Sequence, residues 1–319
     1  MKLSIVIPVY NEAENLVNLH ESIHATFDTQ NDLEWEVIYV DDGSTDDSLI
    51  FLENLANADP QTTTMVALRR NFGQTAAIAA GIDHSQGEII VLSDADLQND
   101  PSDIPAMIEK IDQGFDVVSG WRVDRQDPFI TRVLPSRIAN WLISIVTGVH
   151  LHDYGCTLKA YRREVLTGFR LYGEMHRFIP AYANSVGAKI IELPVKHHPR
   201  EFGKTKYGLS RTLKVVLDLF TVKFLISYAL KPIYLFGGTG LILIFVSSLV
   251  LLFLMVRRLW LSTSVFSSPL FQVSTMFIIL GFQSILMGFI AELLARTYYE
   301  SQEKPTYTIR KIIQHNPET

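Results

Sequence analysis

Two uncharged runs in the last third of the chain constrain its fold more than any other feature. Ile233 to Val256 holds no charged residue, and neither does Pro269 to Ala291. As a helix rising ~1.5 Å per residue, each would reach roughly 35 Å, enough to cross a hydrocarbon core of ~30 Å. Two buried core helices would instead need a second large domain to cover them, and too little chain remains. Spanning helices are therefore expected. Residues 257 to 268 between the runs carry only Arg257 and Arg258. Arg211, Lys214, Lys223 and Lys231 precede the first run, and Arg296, Lys304, Arg310 and Lys311 follow the second. Basic residues favour cytoplasmic flanks, which predicts two spans in a plasma or inner membrane with both ends cytoplasmic and a short loop outside. Gly237, Gly238 and Gly240 lie inside the first run and do not form a phosphate loop. Ser284 and Gly288 form a small-residue pair that suits a helix partner.

Composition narrows the remaining choices. A formal charge of −6 without an extended basic stripe argues against a nucleic-acid partner. Cys156 is the single cysteine, so no intramolecular disulfide can form. The start, MKLSIVIPVYNE, has too short an apolar core for a signal peptide, and residues ahead of the spans are expected to stay in the cytoplasm.

Those residues alternate apolar runs with helical patterns. Strands are predicted at 3–8, 36–40, 64–68, 88–93 and 116–119, with helices at 13–25, 46–57, 74–84 and 102–113. Unbroken Val/Ile runs separated by helices predict an α/β domain whose mostly parallel sheet is covered on both faces. Between this domain and the first span, Leu209, Leu213, Val216, Leu217 and Phe220 recur at helical spacing. They predict an amphipathic helix lying on the membrane surface, or else packed on the globular domain. The organisation is thus 1–206 globular, 207–231 juxtamembrane, 232–296 two spans, and 297–319 a cytoplasmic tail.

In open sheets of this kind ligands bind beyond the carboxyl ends of the strands. Polar groups gather there: Tyr10, Asn11 and Glu12 after the first strand, Asp41 to Ser44 after the second, Ser93 to Gln98 after the fourth. Asp94, Asp96 and Gln98 form an all-oxygen set suited to Mg²⁺ or Mn²⁺ held jointly with a substrate's phosphates. An isolated Asp-x-Asp is often a solvated turn or a helix cap; its place after a buried strand favours the metal reading. Asp41 and Asp42 suit either turn chemistry with a helix cap or hydrogen bonds from a nucleoside. Neither GxGxxG nor GxxxxGK[ST] is present, which removes the dinucleotide fingerprint and the P-loop. His197 and His198 are adjacent in an extended stretch and point to opposite faces, which discounts them as a metal pair.

Five ordered motifs, IVIPVYNEAENL, VDDGSTDDS, RRNFGQTAAIAAG, LSDADLQNDP and DYGCTLKAYRRE, resemble family 2 glycosyltransferases of the GT-A fold. With the hairpin that follows, the chain is similar to polyprenyl-phosphate glycosyltransferases, the group that holds dolichyl-phosphate mannose synthases and undecaprenyl-phosphate glucosyltransferases. The Q-x-x-R-W motif of processive synthases is absent, which favours a single addition. The resemblance implies that Pro8, Tyr10, Glu12 and Asp42 hold the nucleoside, that Gly73 lets backbone approach it, and that Asp94, Asp96 and Gln98 bind the metal at the donor diphosphate. It implies an acceptor-phosphate set of Arg122, Arg132 and Ser136, with Arg200 and Lys206 on a loop closing over both phosphates. Asp153 stands where related transferases keep a catalytic carboxylate.

The expected partners are a nucleotide sugar, UDP-glucose first and GDP-mannose behind it, a polyprenyl phosphate, and a second copy of the chain. A membrane-anchored transferase with a non-lipid acceptor is the alternative. A glycolipid channel or flippase is a third reading, but two charge-free spans offer it no pathway unless several subunits assemble.

Overall fold

The computed structural model describes residues 2–30, 33–123, 134–167, 171, 175–199, 233–261, 264–266, 268–301 and 307–314. The chain divides into two compact units, Met1–Leu219 with Pro305–Thr319, and Phe220–Lys304.

The first unit begins as the apolar runs predict. Strand β1 (Lys2–Val9), helix α1 (Ala13–Phe27), β2 (Glu34–Asp41), α2 (Ser48–Ala58), β3 (Thr63–Leu68), α3 (Gln74–His84) and β4 (Ile89–Leu92) alternate. Helix α4 (Ile104–Asp112), β5 (Val117–Arg122), α5 (Leu134–Thr147), β6 (Lys159–Arg162), α6 (Arg163–Leu166), α7 (Ile179–Ser185) and β7 (Ile190–Val195) complete it, with β8 (Ile309–Ile313) returning from the far end of the sequence.

The eight strands lie in the order β7-β5-β6-β4-β1-β2-β3-β8. Strands β1 to β4 pair in parallel, while β6 runs antiparallel between β4 and β5, and β8 antiparallel beside β3. The sheet is mostly parallel, as expected, and its inner strands are apolar on both faces because both are covered. Leu3, Ile5, Ile7 and Val9 of β1 pack with Leu16, Leu19, Ile23 and Phe27 of α1, Leu52 and Ala56 of α2, and Met107 and Ile111 of α4. Val6, Ile38, Val40 and Val66, which alternate with them, are equally buried on the opposite face.

The tail expected over 297–319 is not uniform. The second long helix continues to Ser301, and Ile309–Ile313 joins the sheet, with Met65 opposite Ile313 and Val66 opposite Ile312. Exposed β3 backbone at the sheet edge is what an Ile-rich pentapeptide satisfies there. The juxtamembrane stretch 207–231 lies outside the described residues.

In the second unit the uncharged runs are helices Ile233–Leu261 and Pro269–Ser301. Their apolar windows have mean hydropathy 2.7 and 2.0, and only 17% of each window is buried. A soluble core helix would be mostly buried; these have the length and composition to cross a bilayer. They pack on each other through Gly240 and Gly281, where a Cβ on either residue would come within 2.5 Å or 2.7 Å of the other's carbonyl oxygen. Ser284 donates to the Phe236 carbonyl at 2.8 Å and lies 3.2 Å from the Thr239 hydroxyl. Gly281 and Ser284 thus both lie at the contact between the two helices, and Gly288 is buried as well.

Candidate active site

Parallel pairing of β1, β2 and β4 aligns their carboxyl ends, so the residues that follow them share one rim of the sheet. The antiparallel β6 completes that rim. Lys159 pairs with Leu92 of β4 and with Ser119 of β5, so residues 153 to 157, just before β6, fall beside Asp94 and beside the end of β5 at Arg122.

Pro8 is half-buried within β1. Beyond it, Tyr10 and Glu12 border a loop fixed by the segment after β2. Asn11, in the left-handed region at φ 53, receives a hydrogen bond from the Thr45 amide at 2.7 Å and donates its own amide to Ser44 Oγ at 3.0 Å. Glu12 accepts from Asn15 Nδ2 at 2.7 Å.

Asp42 spends both carboxylate oxygens on the loop after β3. The Phe72 amide donates to Oδ1 at 2.7 Å, and the Gly73 amide to Oδ2 at 2.9 Å. Burial nevertheless outweighs these bonds and raises the Asp42 pKa to about 6. Gly73 takes φ 96 directly before α3, a backbone conformation that side chains resist. Asp42 thus positions the turn that opens α3.

Asp94 is held by two flanking motifs. Thr157 Oγ1 donates to Oδ2 at 2.6 Å and Gln74 Nε2 to Oδ1 at 2.8 Å. Burial, and next the charge of Asp96, raise its pKa to about 6, against the opposing effects of Thr157, Arg122 and Arg177. Asp96 is buried and accepts from the Gln98 amide at 3.2 Å, while Leu97 between them sits at φ 60. A branched residue in the left-handed region is uncommon and concentrates at functional turns. Here it turns the chain directly after Asp96 and brings the Gln98 amide back to that carboxylate.

Arg122 and Asp153 are brought together as an ion pair at 2.7 Å, with Asp153 also accepting from the Gly155 amide at 3.1 Å. Burial alone would lower the Arg122 pKa, but the hydrogen bonds and charge of Asp153 raise it. Two expected members of one site therefore contact each other. Ser136 stands on α5, while Arg132, Arg200 and Lys206 lie outside the described residues. His197 bridges to Asn99, and His198 Nε2 lies 3.3 Å from Asp100, so these two histidines serve the chain after the acidic turn.

Sequence reasoning missed Gln74, Thr75, Thr157, His176, Arg177 and Lys159. Thr75 Oγ1 lies 2.7 Å from His176 Nδ1 in a buried contact, and Lys159 is buried with its ammonium on the carbonyls of Tyr154 and Cys156. Gln74 and Thr157 lay inside the motifs RRNFGQTAAIAAG and DYGCTLKAYRRE, where a polar side chain within a stretch feeding a buried element was the available signal.

The chain is similar to several known proteins. The family model for glycosyl transferase family 2 matches residues 4–169. A dodecaprenyl-phosphate galacturonate synthase of Rhizobium johnstonii is 42% identical over 315 residues, covering 98% of this chain and 93% of that protein. An undecaprenyl-phosphate 4-deoxy-4-formamido-L-arabinose transferase of Edwardsiella ictaluri is 39% identical over 316 residues, covering 98% and 95%. Among solved structures, S. aureus TarS 1-349 in complex with UDP-GlcNAc aligns with TM-score 0.50 and 19% identity over 70% of this chain and 67% of that one. Glucosyl-3-phosphoglycerate synthase of Mycobacterium tuberculosis in complex with Mn²⁺, UDP and glucosyl-3-phosphoglycerate aligns with TM-score 0.50 and 20% identity over 70% and 79%.

Proposed function

The chain belongs to glycosyl transferase family 2 and has the GT-A fold, and on that premise we propose that this enzyme moves one sugar from a uridine diphosphate donor onto a polyprenyl phosphate. The observation that carries the reading is the Asp94–Asp96 pair at the rim beyond β4. Burial, and next the charge of Asp96, make Asp94 costly to ionise, and a divalent cation offsets that cost. The pair's all-oxygen chemistry fits Mg²⁺ or Mn²⁺, with Gln98 as a neutral oxygen donor. When bound, such an ion supplies positive charge to the departing nucleotide diphosphate.

The remaining steps belong to the chain's own residues. Pro8, Tyr10, Glu12 and the loop pinned by Asp42 border the nucleoside. Thr157 and Gln74 fix the rotamer of Asp94, so the donor meets a preset carboxylate. A polyprenyl phosphate monoester, with a second pKa of ~6 by analogy with phosphoserine, is mostly dianionic at neutral pH and needs no general base. One of its oxygens forms the bond to the anomeric carbon while the bond to the nucleotide diphosphate breaks. The leaving group takes the electron pair, and the configuration inverts. Arg122 presents a cation at the β5 end of the rim toward the acceptor phosphate, oriented by Asp153, with Arg132, Ser136, Arg200 and Lys206 as further acceptor-side groups.

The sugar is galacturonate or 4-deoxy-4-formamido-L-arabinose in preference to glucose, since these are the sugars in the names of the two relatives at 42% and 39% identity. Galacturonate comes first because Arg177, whose charge acts on Asp94, gives a sugar carboxylate a cation at the same rim.

The hairpin sits in a plasma or inner membrane with the catalytic unit on the cytoplasmic side. In support, β8 follows the second long helix and pairs with β3, so the chain leaves and rejoins one folded unit. An even number of crossings satisfies that connectivity.

The test is transfer by the full-length protein in detergent with Mn²⁺, a panel of labelled UDP-sugars and GDP-mannose, and undecaprenyl phosphate. Butanol-extractable label from UDP-galacturonate or the formamido-arabinose donor is expected. Label transferred only to a water-soluble acceptor would overturn the lipid reading.

A further inference from the structure

A group of side chains with metal-ligand chemistry stands at the opposite end of the strands from the acidic rim. Helix α1 runs back from the rim after β1, and α2 runs back from the rim after β2, so the last turns of both reach the amino ends of the strands. His20 and His24 lie one turn apart on α1, which puts both on one face, and Asp59 caps the end of α2. One ligand atom from each of the three lies within 4.8 Å of the others, and all three residues are half-buried.

The hydrogen bonding of His24 decides what this cluster is for. Its Nδ1 lies 3.2 Å and 3.1 Å from the two oxygens of Asp28. Asp28 thus faces the Nδ1 side of the ring, and Nε2 is the nitrogen on the Asp59 side. That Nε2 is buried and has no hydrogen-bond partner, yet it lies 3.3 Å from Asp59 Oδ2. Asp59 Oδ2 also accepts from the Thr62 and Thr63 hydroxyls, so a cation between it and Nε2 would meet an oxygen already held in place. In a tetrahedral zinc site with ligands at ~2.0–2.1 Å, neighbouring ligand atoms are roughly 3.3–3.4 Å apart. The observed separation matches that edge.

The surroundings have the form of a metal site's outer shell. Asp28 orients His24 through its far nitrogen, as carboxylates do behind metal-bound histidines. Tyr39, buried within β2, places its hydroxyl 3.3 Å from His20 Nδ1, leaving the other ring nitrogen of His20 for a ligand role. Trp35 packs edge-on against His24 at 4.9 Å, and the two histidine rings are 4.4 Å apart. The aromatic contacts hold the imidazoles in place and keep bulk water from one side.

We propose that His20, His24 and Asp59 form a Zn²⁺ site, separate from the Asp94–Asp96 pair, that ties the end of α1 to the end of α2. Two imidazole nitrogens and one carboxylate oxygen suit zinc over Mg²⁺ or Mn²⁺, and water fills the fourth position. The ion bonds Nε2 and Oδ2 and fastens two helices that flank β1 and β2. Its role is to brace the domain, since no element of the acidic rim contributes to it.

The test uses full-length protein in detergent, stripped with EDTA, desalted, and titrated with Zn²⁺ in excess Mg²⁺ so that the acidic rim is saturated. One zinc ion retained per chain at micromolar free Zn²⁺ is expected for the parent and for Asp96→Asn. His24→Gln and Asp59→Asn, which keep side-chain size, should each lose retention, and Asp28→Asn should weaken it by about 10–100-fold through the outer shell. Co²⁺ in place of Zn²⁺ should give the intense visible bands of a four-coordinate ion in the parent and none in His20→Ala, with circular dichroism reporting the fold of each variant. No retained zinc in the parent would overturn the site and leave a tilted histidine pair. Retention unchanged in folded His24→Gln, or lost in Asp96→Asn, would place the ion elsewhere and overturn it equally.

Discussion

Arg122 and Asp153 form a two-point ion pair, Nε donating to Oδ2 at 2.7 Å and Nη2 to Oδ1 at 3.0 Å. The Asp153 side chain is 4% exposed and that of Arg122 is 15% exposed. The guanidinium fork matches a carboxylate as it would a phosphate, so in the proposed acceptor role Asp153 would set the plane in which Arg122 presents its remaining N–H groups. Removing one partner of a buried pair leaves the other charged and unpaired, a loss of about 3–5 kcal/mol. Arg122→Ala is expected to lower stability by that order as well as transfer, and Arg122→Lys to recover only part of both. Denaturant unfolding, measured beside separate donor and acceptor binding, checks this. An Arg122→Ala variant as stable as the parent would show that the pair does not hold the rim.

Asp96→Asn should abolish transfer without unfolding the chain. The substitution keeps size and hydrogen-bonding reach while removing one of two charges that suit a divalent ion, and EDTA should inactivate the parent in the same way. Relief of repulsion makes the apo variant at least as stable as the apo parent. Turnover near the parental level in Asp96→Asn would remove the metal from the acidic rim.

Acidification should separate stability from metal binding. Asp42 and Asp94 have folded-state pKa values raised to about 6, above the ordinary 3.8. Between these values the folded chain holds protons that the unfolded chain has released, so these two groups make the metal-free protein less stable as pH rises from about 4 to 6. Asp100, lowered to about 2 by hydrogen bonds from Ser102, His198 and Lys196 that overcome its partial burial, loses its stabilising effect only as pH falls below 3.8. Binding of Mn²⁺ needs both rim carboxylates ionised and runs the other way. One pH unit below the Asp94 value, about a tenth of that group is ionised, so Mn²⁺ affinity should be about tenfold weaker at pH 5 than at pH 7.5. Calorimetric titration at the two pH values reads this directly.

The parts of this architecture legible in the sequence are those where one strand is buried on both faces. Runs such as SIVIPV, EVIYV and EIIVL declare themselves because nothing but a covered parallel strand uses them, and the acids after β2 and β4 then mark the rim. Strand β6 was not legible. KAYR is four residues long with a charge at each end, and it is a strand only because β4 and β5 supply hydrogen bonds on both sides. Strand β8 was missed for a related reason: IRKII pairs with β3 across most of the chain's length, a contact that no local pattern encodes. The joining of Arg122 to Asp153 follows from β6 running antiparallel, so it was hidden with that strand. Gln74 and Thr157, which fix Asp94, lie in quoted motifs but act across 20 and 63 residues of sequence.

The last prediction concerns the two long helices. Strand β8 belongs to the catalytic unit through its pairing with β3, so residue 308 must lie on the same side of the membrane as β3, whichever side that is. Ser264 lies in the short connection between the helices and, with two crossings, must lie on the opposite side. The proposed orientation has the basic flanks and the catalytic unit in the cytoplasm. A cysteine at Ser264, which is exposed, should therefore react with an impermeant thiol reagent in intact cells. One at the exposed Thr308 should react only after permeabilisation. Native Cys156 is buried, and burial raises its pKa to about 11, so it holds little thiolate and gives a low background. Labelling of both positions only after permeabilisation would mean that the helices lie on or within one side and do not span. Labelling of Thr308→Cys alone in intact cells would invert the orientation and separate the active site from cytoplasmic nucleotide sugars. Labelling of both in intact cells would break the two-crossing connectivity that the β3–β8 pairing requires.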